Sequence, residues 1–233
     1  MIQLALDLPH RTAFGRSDFF VSDSNIAAVQ RIDRWPDWPS AALLLHGPPG
    51  CGKTHLIHLW QERASALIIA GETLTDAMSA GLIHEVPGRI AVDDAERASE
   101  PALLHLYNSC IEHHGSLLIT ACRPPGSWQV VLADLRSRLR AAPVVEIGAP
   151  DDALLGAVLV KHFADRQLHV VPQVIAYLLT RIDRSFAAAE KIVARLDGAA
   201  LSNGGPVTIP LARRVLEQCG RQLLSPRSDS AVT

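Results

Sequence analysis

The chain has little that would staple it covalently or carry it across a membrane. Its four cysteines, Cys51, Cys110, Cys122 and Cys219, stand far apart with no CxxC pair. Neither a disulfide framework nor a zinc site is suggested, and reduced, isolated thiols are expected. The longest apolar runs, such as residues 41–45 and 117–120, fall far short of the roughly 18 residues a membrane-spanning helix needs. Residues 1–8 carry Asp7 and no basic leader, which is too brief for a signal peptide, so a cytoplasmic protein without membrane association is expected. Neither sign of charge is in excess: 22 Lys and Arg face 24 Asp and Glu, for a net charge of −2. That balance supplies no general footprint for a phosphate backbone, so direct nucleic-acid binding is not the first expectation. Internal repeats and low-complexity tracts are missing too. What is present is ordinary globular usage, 48% apolar and 20% charged, which argues against a disordered or fibrous chain.

At 233 residues, a main domain with a small appendage is the natural reading. Residues 42–45 form a short apolar run ending at Gly47, followed after the glycines by Leu56, Leu59 and Trp60 at helical spacing; the pattern is strand, loop, helix. Further apolar runs at residues 66–70, 89–92, 117–120 and 144–147 are separated by segments long enough for crossover helices, such as residues 101–113. Such alternation predicts an α/β fold with a parallel five-stranded sheet covered on both faces and a ligand at the carboxyl ends of the strands. Beyond Pro150 the strand signal vanishes. Residues 151–167, 172–181, 185–196 and 210–223 read as helices, with Asp151 and Pro172 as starts and Gly198 as a stop. The division expected is an N-terminal segment over residues 1–12, an α/β core over 13–149, a small all-α domain over 150–224 and a polar, frayed tail over 225–233.

Gly47-Pro48-Pro49-Gly50-Cys51-Gly52-Lys53-Thr54, continued by His55, matches the P-loop pattern. Its glycines let backbone N–H groups close around phosphate oxygens, and the following helix offers its positive end. Lys53 is expected to reach the β- and γ-phosphates, and Thr54 to place its hydroxyl on Mg²⁺. Arg89-Ile90-Ala91-Val92-Asp93-Asp94 is an apolar strand ending in two acids, as a segment completing a Mg²⁺ site beside a P-loop should be. Asp93 is the candidate for holding the metal through water, and Asp94 for activating the attacking water, although Asp is one methylene shorter than Glu. Two acids after a strand are, taken alone, more often a helix N-cap; the upstream P-loop reverses that preference.

Together with Leu135-Arg136-Ser137-Arg138 and the helical appendage, these motifs resemble the DnaA/Hda family of bacterial AAA+ proteins over about residues 1–220, and the Hda-type regulators more closely than the initiators. The resemblance implies an AAA+ core and lid, with ADP or ATP and Mg²⁺ as ligands. It implies that Ser17-Asp18-Phe19-Phe20-Val21 with Ser24-Asn25 borders an adenine pocket, and that residues 206–210 lead into the last lid helix. Arg138 falls where the family carries an arginine finger that enters a neighbouring subunit's site, a task suited to a fully ionised, five-donor group. Arg184 is similar to the lid arginine that senses phosphates. Cys122 stands where the family typically places Asp or another hydrogen-bonding group. A thiol is a weak donor and acceptor, so poor intrinsic hydrolysis is expected, with Thr120 a partial substitute.

The family's initiators end in a helix-turn-helix domain. This sequence continues only briefly past Leu224, so a sequence-specific DNA-binding domain is not expected. Gln3-Leu4-Ala5-Leu6-Asp7-Leu8 instead looks like the glutamine-led peptide by which Hda-type proteins hold the replication sliding clamp. Its alternation would put Leu4, Leu6 and Leu8 on one side of an extended strand. The implied function is a clamp-bound regulator that inserts Arg138 beside the γ-phosphate of ATP-bound initiator and so inactivates it; self-association is left open. A self-sufficient AAA+ ATPase such as a helicase loader or remodeller is the first rival. A small-molecule kinase is the second, without a visible acceptor pocket or arginine-rich lid. The remaining candidates read blandly. His113 and His114 lack ligand spacing, Trp35 and Trp38 suit a packed loop, and Cys51 lies in the phosphate loop by accident of variation, although an exposed thiol there could make nucleotide binding redox-sensitive.

Overall fold

In the computed structural model, residues 20–76, 88–203 and 205–224 are described. Two compact units divide at Asp151/Asp152. The first is a parallel five-stranded sheet in the order β2-β3-β4-β1-β5, built from β1 (Ala42–His46), β2 (Leu67–Ala70), β3 (Arg89–Asp93), β4 (Ser116–Ala121) and β5 (Val144–Glu146). Around it lie α1 (Ile26–Asp33), α2 (Lys53–Ala64), α3 (Glu100–Glu112) and α4 (Ala133–Ala141). All five strands arise from the apolar runs that the sequence displays. Period-two alternation then splits β1 to β4 between two cores, whereas β5, at the sheet edge, is exposed at Val144 and Glu146 and packs through Val145 into one of them. On one face Leu43, Leu45, Ala91 and Leu118 meet Ile32, Leu56, Ile57 and Trp60 from α1 and α2. On the other, Ala42, Leu44, Ile90, Val92, Leu117 and Ile119 meet Leu103, Leu106, Leu135 and Leu139 from α3 and α4. A strand buried on both faces has no polar side to show, which is why these read as continuous apolar stretches.

Helix α1 was not foreseen. It is short, its N-cap Asn25 makes no side-chain capping bond, and its stability comes from burying Ala28, Val29 and Ile32, a tertiary effect that local propensity does not reveal. The loop that follows is held by aromatic packing. Trp60 stacks on Trp38 with ring centroids 5.3 Å apart and meets Trp35 edge-on at 6.1 Å. Trp35 Nε1 donates to Ser116 Oγ at 3.0 Å and Trp38 Nε1 to Arg31 O at 2.9 Å, so these two rings are committed to the loop.

The second unit is all-helical: α5 (Asp152–Asp165), α6 (Pro172–Leu179), α7 (Phe186–Asn203) and α8 (Ile209–Leu224). Leu155, Leu159 and Phe163, Val174 and Leu178, Val193 and Leu196, and Leu211 and Val215 fill its separate core, each set at the three-to-four-residue spacing of one helix face. One reading is corrected here: Gly198 does not stop a helix. Helix α7 runs through it to Asn203. Buried Leu196 and Ala200 anchor the chain on both sides, and that burial outweighs the roughly 1 kcal/mol that an internal glycine costs. Among the described residues, no helix is long and apolar enough to cross a membrane.

Candidate nucleotide site

The site lies at the carboxyl ends of β1, β3 and β4, neighbours in the sheet. After β1, the loop over residues 47–52 turns on Gly50 (φ 73°) and Gly52 (φ 100°), left-handed conformations that cost glycine nothing. Gly47 is required for another reason. A Cβ there would stand 2.2 Å from Ile147 O and 2.9 Å from Cys51 Sγ. Helix α2 begins at Lys53 with Gly52 as its N-cap, no side-chain cap and no acid in its first turn. Its opening amides therefore have neither an intrahelical acceptor nor a competing carboxylate, the arrangement that receives an anion.

Lys53 is buried, 6% exposed, and its ammonium donates to Gly47 O at 2.8 Å and Pro48 O at 3.2 Å. The lysine thus folds back on its own loop, holding it open around a charge that a phosphate would complement. Thr54 Oγ1 donates to Asp93 Oδ2 at 2.7 Å, and Thr120 Oγ1 donates to Asp93 Oδ1. An exposed hydroxyl and a carboxylate in contact form an all-oxygen, hard donor pair. Mg²⁺ takes such a pair, since it relies on one or two protein oxygens and leaves its other positions to water and substrate phosphates. The described residues hold no group of three or more His, Cys, Asp or Glu suited to a metal, so a nucleotide would have to supply the remaining ligands.

Asp94 sits in the left-handed region (φ 51°, ψ 48°), and its amide donates to Thr120 Oγ1 at 3.1 Å. Glu96, on which sequence reading placed no weight, accepts from the amides of Cys122 at 3.0 Å and Arg123 at 3.3 Å. It ties the acid turn after β3 to the end of β4. Cys122 Sγ stands 3.7 Å from Lys53 Nζ and 3.9 Å from Asp94 Oδ1, so it does occupy a position between the lysine and the second acid. Burial pushes the Cys122 thiol up from its ordinary value, while Lys53 pulls it down. The thiol is therefore held in its neutral, weakly bonding form.

One cysteine expectation, an exposed thiol at Cys51, is corrected. Cys51 is buried, 3% exposed, and desolvation raises its pKa, opposed by Lys53. It is therefore not an exposed reactive thiol, because the thiolate that reacts is disfavoured there. Among the described residues Cys51, Cys110 and Cys122 are free thiols, and Cys51 and Cys122, far apart in the chain, both feel the Lys53 charge.

The other predicted residues are placed as follows. Val21 and Asn25 are buried. Asn25 Oδ1 accepts from Ser22 N at 3.0 Å and its Nδ2 donates to Phe20 O at 3.1 Å. Ser24 O accepts from Gly148 N at 2.9 Å, so this segment is tied to the chain leaving β5. Arg138 lies on α4, its Nε 3.2 Å from Asp134 Oδ1 and its guanidinium 5.7 Å from the Tyr107 ring centroid. In the helical unit, Arg184 pairs with Asp152 at 2.9 Å, both groups exposed. Gln3, Leu4, Leu6 and Leu8 lie outside the described residues, as do Ser17, Asp18 and Phe19.

Residues 152–216 match the family described as Hda, lid domain. Along most of its length the chain is similar to the chromosomal replication initiator protein DnaA of Clavibacter sepedonicus, 24% identical over 229 residues that cover 88% of this chain and 48% of that protein. It thus spans about half the length of the curated relatives it matches. Domain III of the replication initiation protein DnaA from Thermotoga maritima superposes with a TM-score of 0.73 at 19% identity, covering 86% of this chain and 94% of that one. AMPPCP-bound DnaA from Aquifex aeolicus superposes with a TM-score of 0.69 at 17% identity, over 92% and 71% of the two chains. At such identities the structural likeness establishes the fold.

Proposed function

We propose that this DnaA/Hda-related AAA+ protein binds an adenine nucleotide with Mg²⁺ and regulates replication initiation by promoting hydrolysis of the initiator's ATP. The observation that carries the nucleotide reading is the meeting of Lys53, Thr54 and Asp93 around the loop at residues 47–54. Lys53 exchanges two loop carbonyls for the β- and γ-phosphates, the opening turn of α2 receives phosphate oxygens, and Thr54 and Asp93 hold the metal. Bound Mg²⁺ supplies charge neutralisation at the phosphates. Arg184 serves as the phosphate-sensing arginine in this reading.

Intrinsic hydrolysis is slow. Asp94 has a shorter reach than Glu, and Cys122 offers only a neutral thiol where a stronger hydrogen-bonding group would fix the γ-phosphate. The chain's nucleotide, ADP or ATP, therefore acts as a structural and regulatory ligand, and the chemistry is exerted in trans. Arg138 carries that action: an arginine finger is worth about 10³ to 10⁵ in rate in GTPases. Its present partners restrain it weakly. An i,i+4 ion pair contributes about 0.3–0.5 kcal/mol and an exposed cation–π contact about 0.5–1 kcal/mol, small against the several kcal/mol such a rate factor represents. Residues 3–8 supply the attachment to the sliding clamp, which concentrates the protein where initiation has just occurred.

The test measures loss of ATP bound to purified initiator, with DNA-loaded clamp, with and without this protein. Stimulated hydrolysis is expected, abolished by Arg138→Ala and weakened by Gln3→Ala with Leu6→Ala. Absence of stimulation under all conditions rejects the regulator. Rapid turnover by this protein alone would instead favour a self-sufficient ATPase.

A further inference from the structure

Thr120 is the polar residue in an otherwise apolar, fully buried stretch of β4, itself at 0% exposure. The sequence offers this hydroxyl only as a partial substitute for the group expected at Cys122, and burying one without a partner costs about 1–3 kcal/mol. The structure supplies the reason. Val92 of β3 pairs with Ile119 of β4, so the next residues along, Asp93 and Thr120, stand side by side at the carboxyl edge of the sheet. A threonine hydroxyl has one hydrogen to donate and lone pairs to accept, and here both capacities are used. The hydrogen goes to Asp93 Oδ1 and a lone pair receives the Asp94 amide at 3.1 Å.

The two hydroxyls on Asp93 are unequal. Thr54 is exposed at the start of α2, whereas Thr120 is locked by a β-branched side chain inside the sheet, where rotation about χ1 is restricted. Asp94, moreover, occupies a left-handed conformation that non-glycine residues adopt at a cost. It is held there from two sides, by its hydrogen bond to Thr120 and by Gly71, where an added Cβ would come within 2.3 Å of Asp94 O.

We infer that Thr120 is the positioning residue of the magnesium site, fixing the Asp93 carboxylate in the rotamer that meets Thr54 and setting the backbone of Asp94 with the same oxygen. This rests on the nucleotide reading above and adds a residue to it. With its hydroxyl engaged by Asp93 and the Asp94 amide, Thr120 acts through Asp93, as partners behind a metal ligand do, and removing such partners typically costs 10–100-fold in metal affinity.

The test compares ADP affinity by calorimetry in excess Mg²⁺ and in EDTA for the wild type, Thr120→Val and Thr120→Ser, with the thermal midpoint of each ligand-free protein. The Mg²⁺-dependent gain in affinity is expected to fall by roughly 10- to 100-fold in Thr120→Val, with affinity in EDTA retained, and to return in Thr120→Ser. If Thr120→Val does not fold, Thr120→Ala carries the same comparison. An undiminished Mg²⁺ gain, a wild type indifferent to Mg²⁺, or an equal loss in both media that tracks the thermal midpoint each overturns the inference while leaving nucleotide binding intact. A wild type that binds no nucleotide in either medium removes the nucleotide reading itself, and the inference with it.

Discussion

At the scale of single residues, the decisive group is Lys53. Its ammonium has two loop carbonyls as acceptors, so the buried charge is hydrogen-bonded before any ligand arrives, and a phosphate must offer more than those carbonyls do. Hydrogen bonds to charged groups contribute about 1.5–3 kcal/mol. Calorimetry on Lys53→Ala should therefore show nucleotide affinity reduced by roughly 10- to 150-fold, and an unchanged affinity would contradict the loop assignment. Cys110 makes a different prediction, about pH. Burial pushes its thiol from an ordinary value near 9.0 up to about 12. The folded state therefore keeps a proton that the unfolded state releases first. Stability from this group is fully present below about pH 9 and declines as pH rises towards 12, by up to about 1.4 kcal/mol per pH unit. Urea titrations between pH 8 and 10.5 should show a steeper alkaline loss for wild type than for Cys110→Ala, after the constant offset from the deleted sulfur is subtracted. Parallel curves would show that the thiol does not titrate in this way.

At the scale of elements, α7 offers a clean stability test. Gly198 has nothing within 4 Å of where its Cβ would stand and lies inside a continuous helix, so Gly198→Ala gains helix propensity without a clash. Stabilisation of about 0.5–1 kcal/mol is expected by chemical denaturation; destabilisation would mean the glycine serves a contact. The same residue shows where sequence reading ended. Glycine as a helix stop is a local argument, and what overrode it was burial of Leu196 and Ala200 against other helices. Strands β1 to β4 were legible because a parallel strand covered on both faces leaves a continuous apolar run, β5 because Val144 and Val145 adjoin buried Ile147, and the loop before α2 because its phosphate pattern is contiguous. The bond from Glu96 to the Cys122 and Arg123 amides, and the convergence of Cys51 and Cys122 on Lys53, were not legible. They join residues from different elements, and no period or spacing encodes them. Thr120 lay between these cases: an isolated hydroxyl within an apolar strand is a visible oddity, but only the β3–β4 register says which acid it serves.

At the scale of the whole molecule, the two units have separate cores, and the tryptophans are distributed unequally between them. Trp35, Trp38, Trp60 and Trp128 all precede Asp151, so tryptophan fluorescence reports on the α/β unit, while circular dichroism sums over both. Trp35 and Trp38 pack against Trp60 on the flank of α2, the helix whose first turn is the proposed phosphate site. A ligand bound only by the native protein at a hundred times its dissociation constant stabilises by about 2.7 kcal/mol. For a protein of this size that corresponds to a rise of roughly 5–11 °C in the thermal midpoint. Saturating Mg²⁺ and adenine nucleotide should therefore raise the fluorescence midpoint by that amount in wild type and by much less in Lys53→Ala at the same nucleotide concentration. Equal shifts in the two proteins would mean that the nucleotide binds away from the loop at residues 47–54, and the assignment of Thr54 and Asp93 to the metal would fall with it.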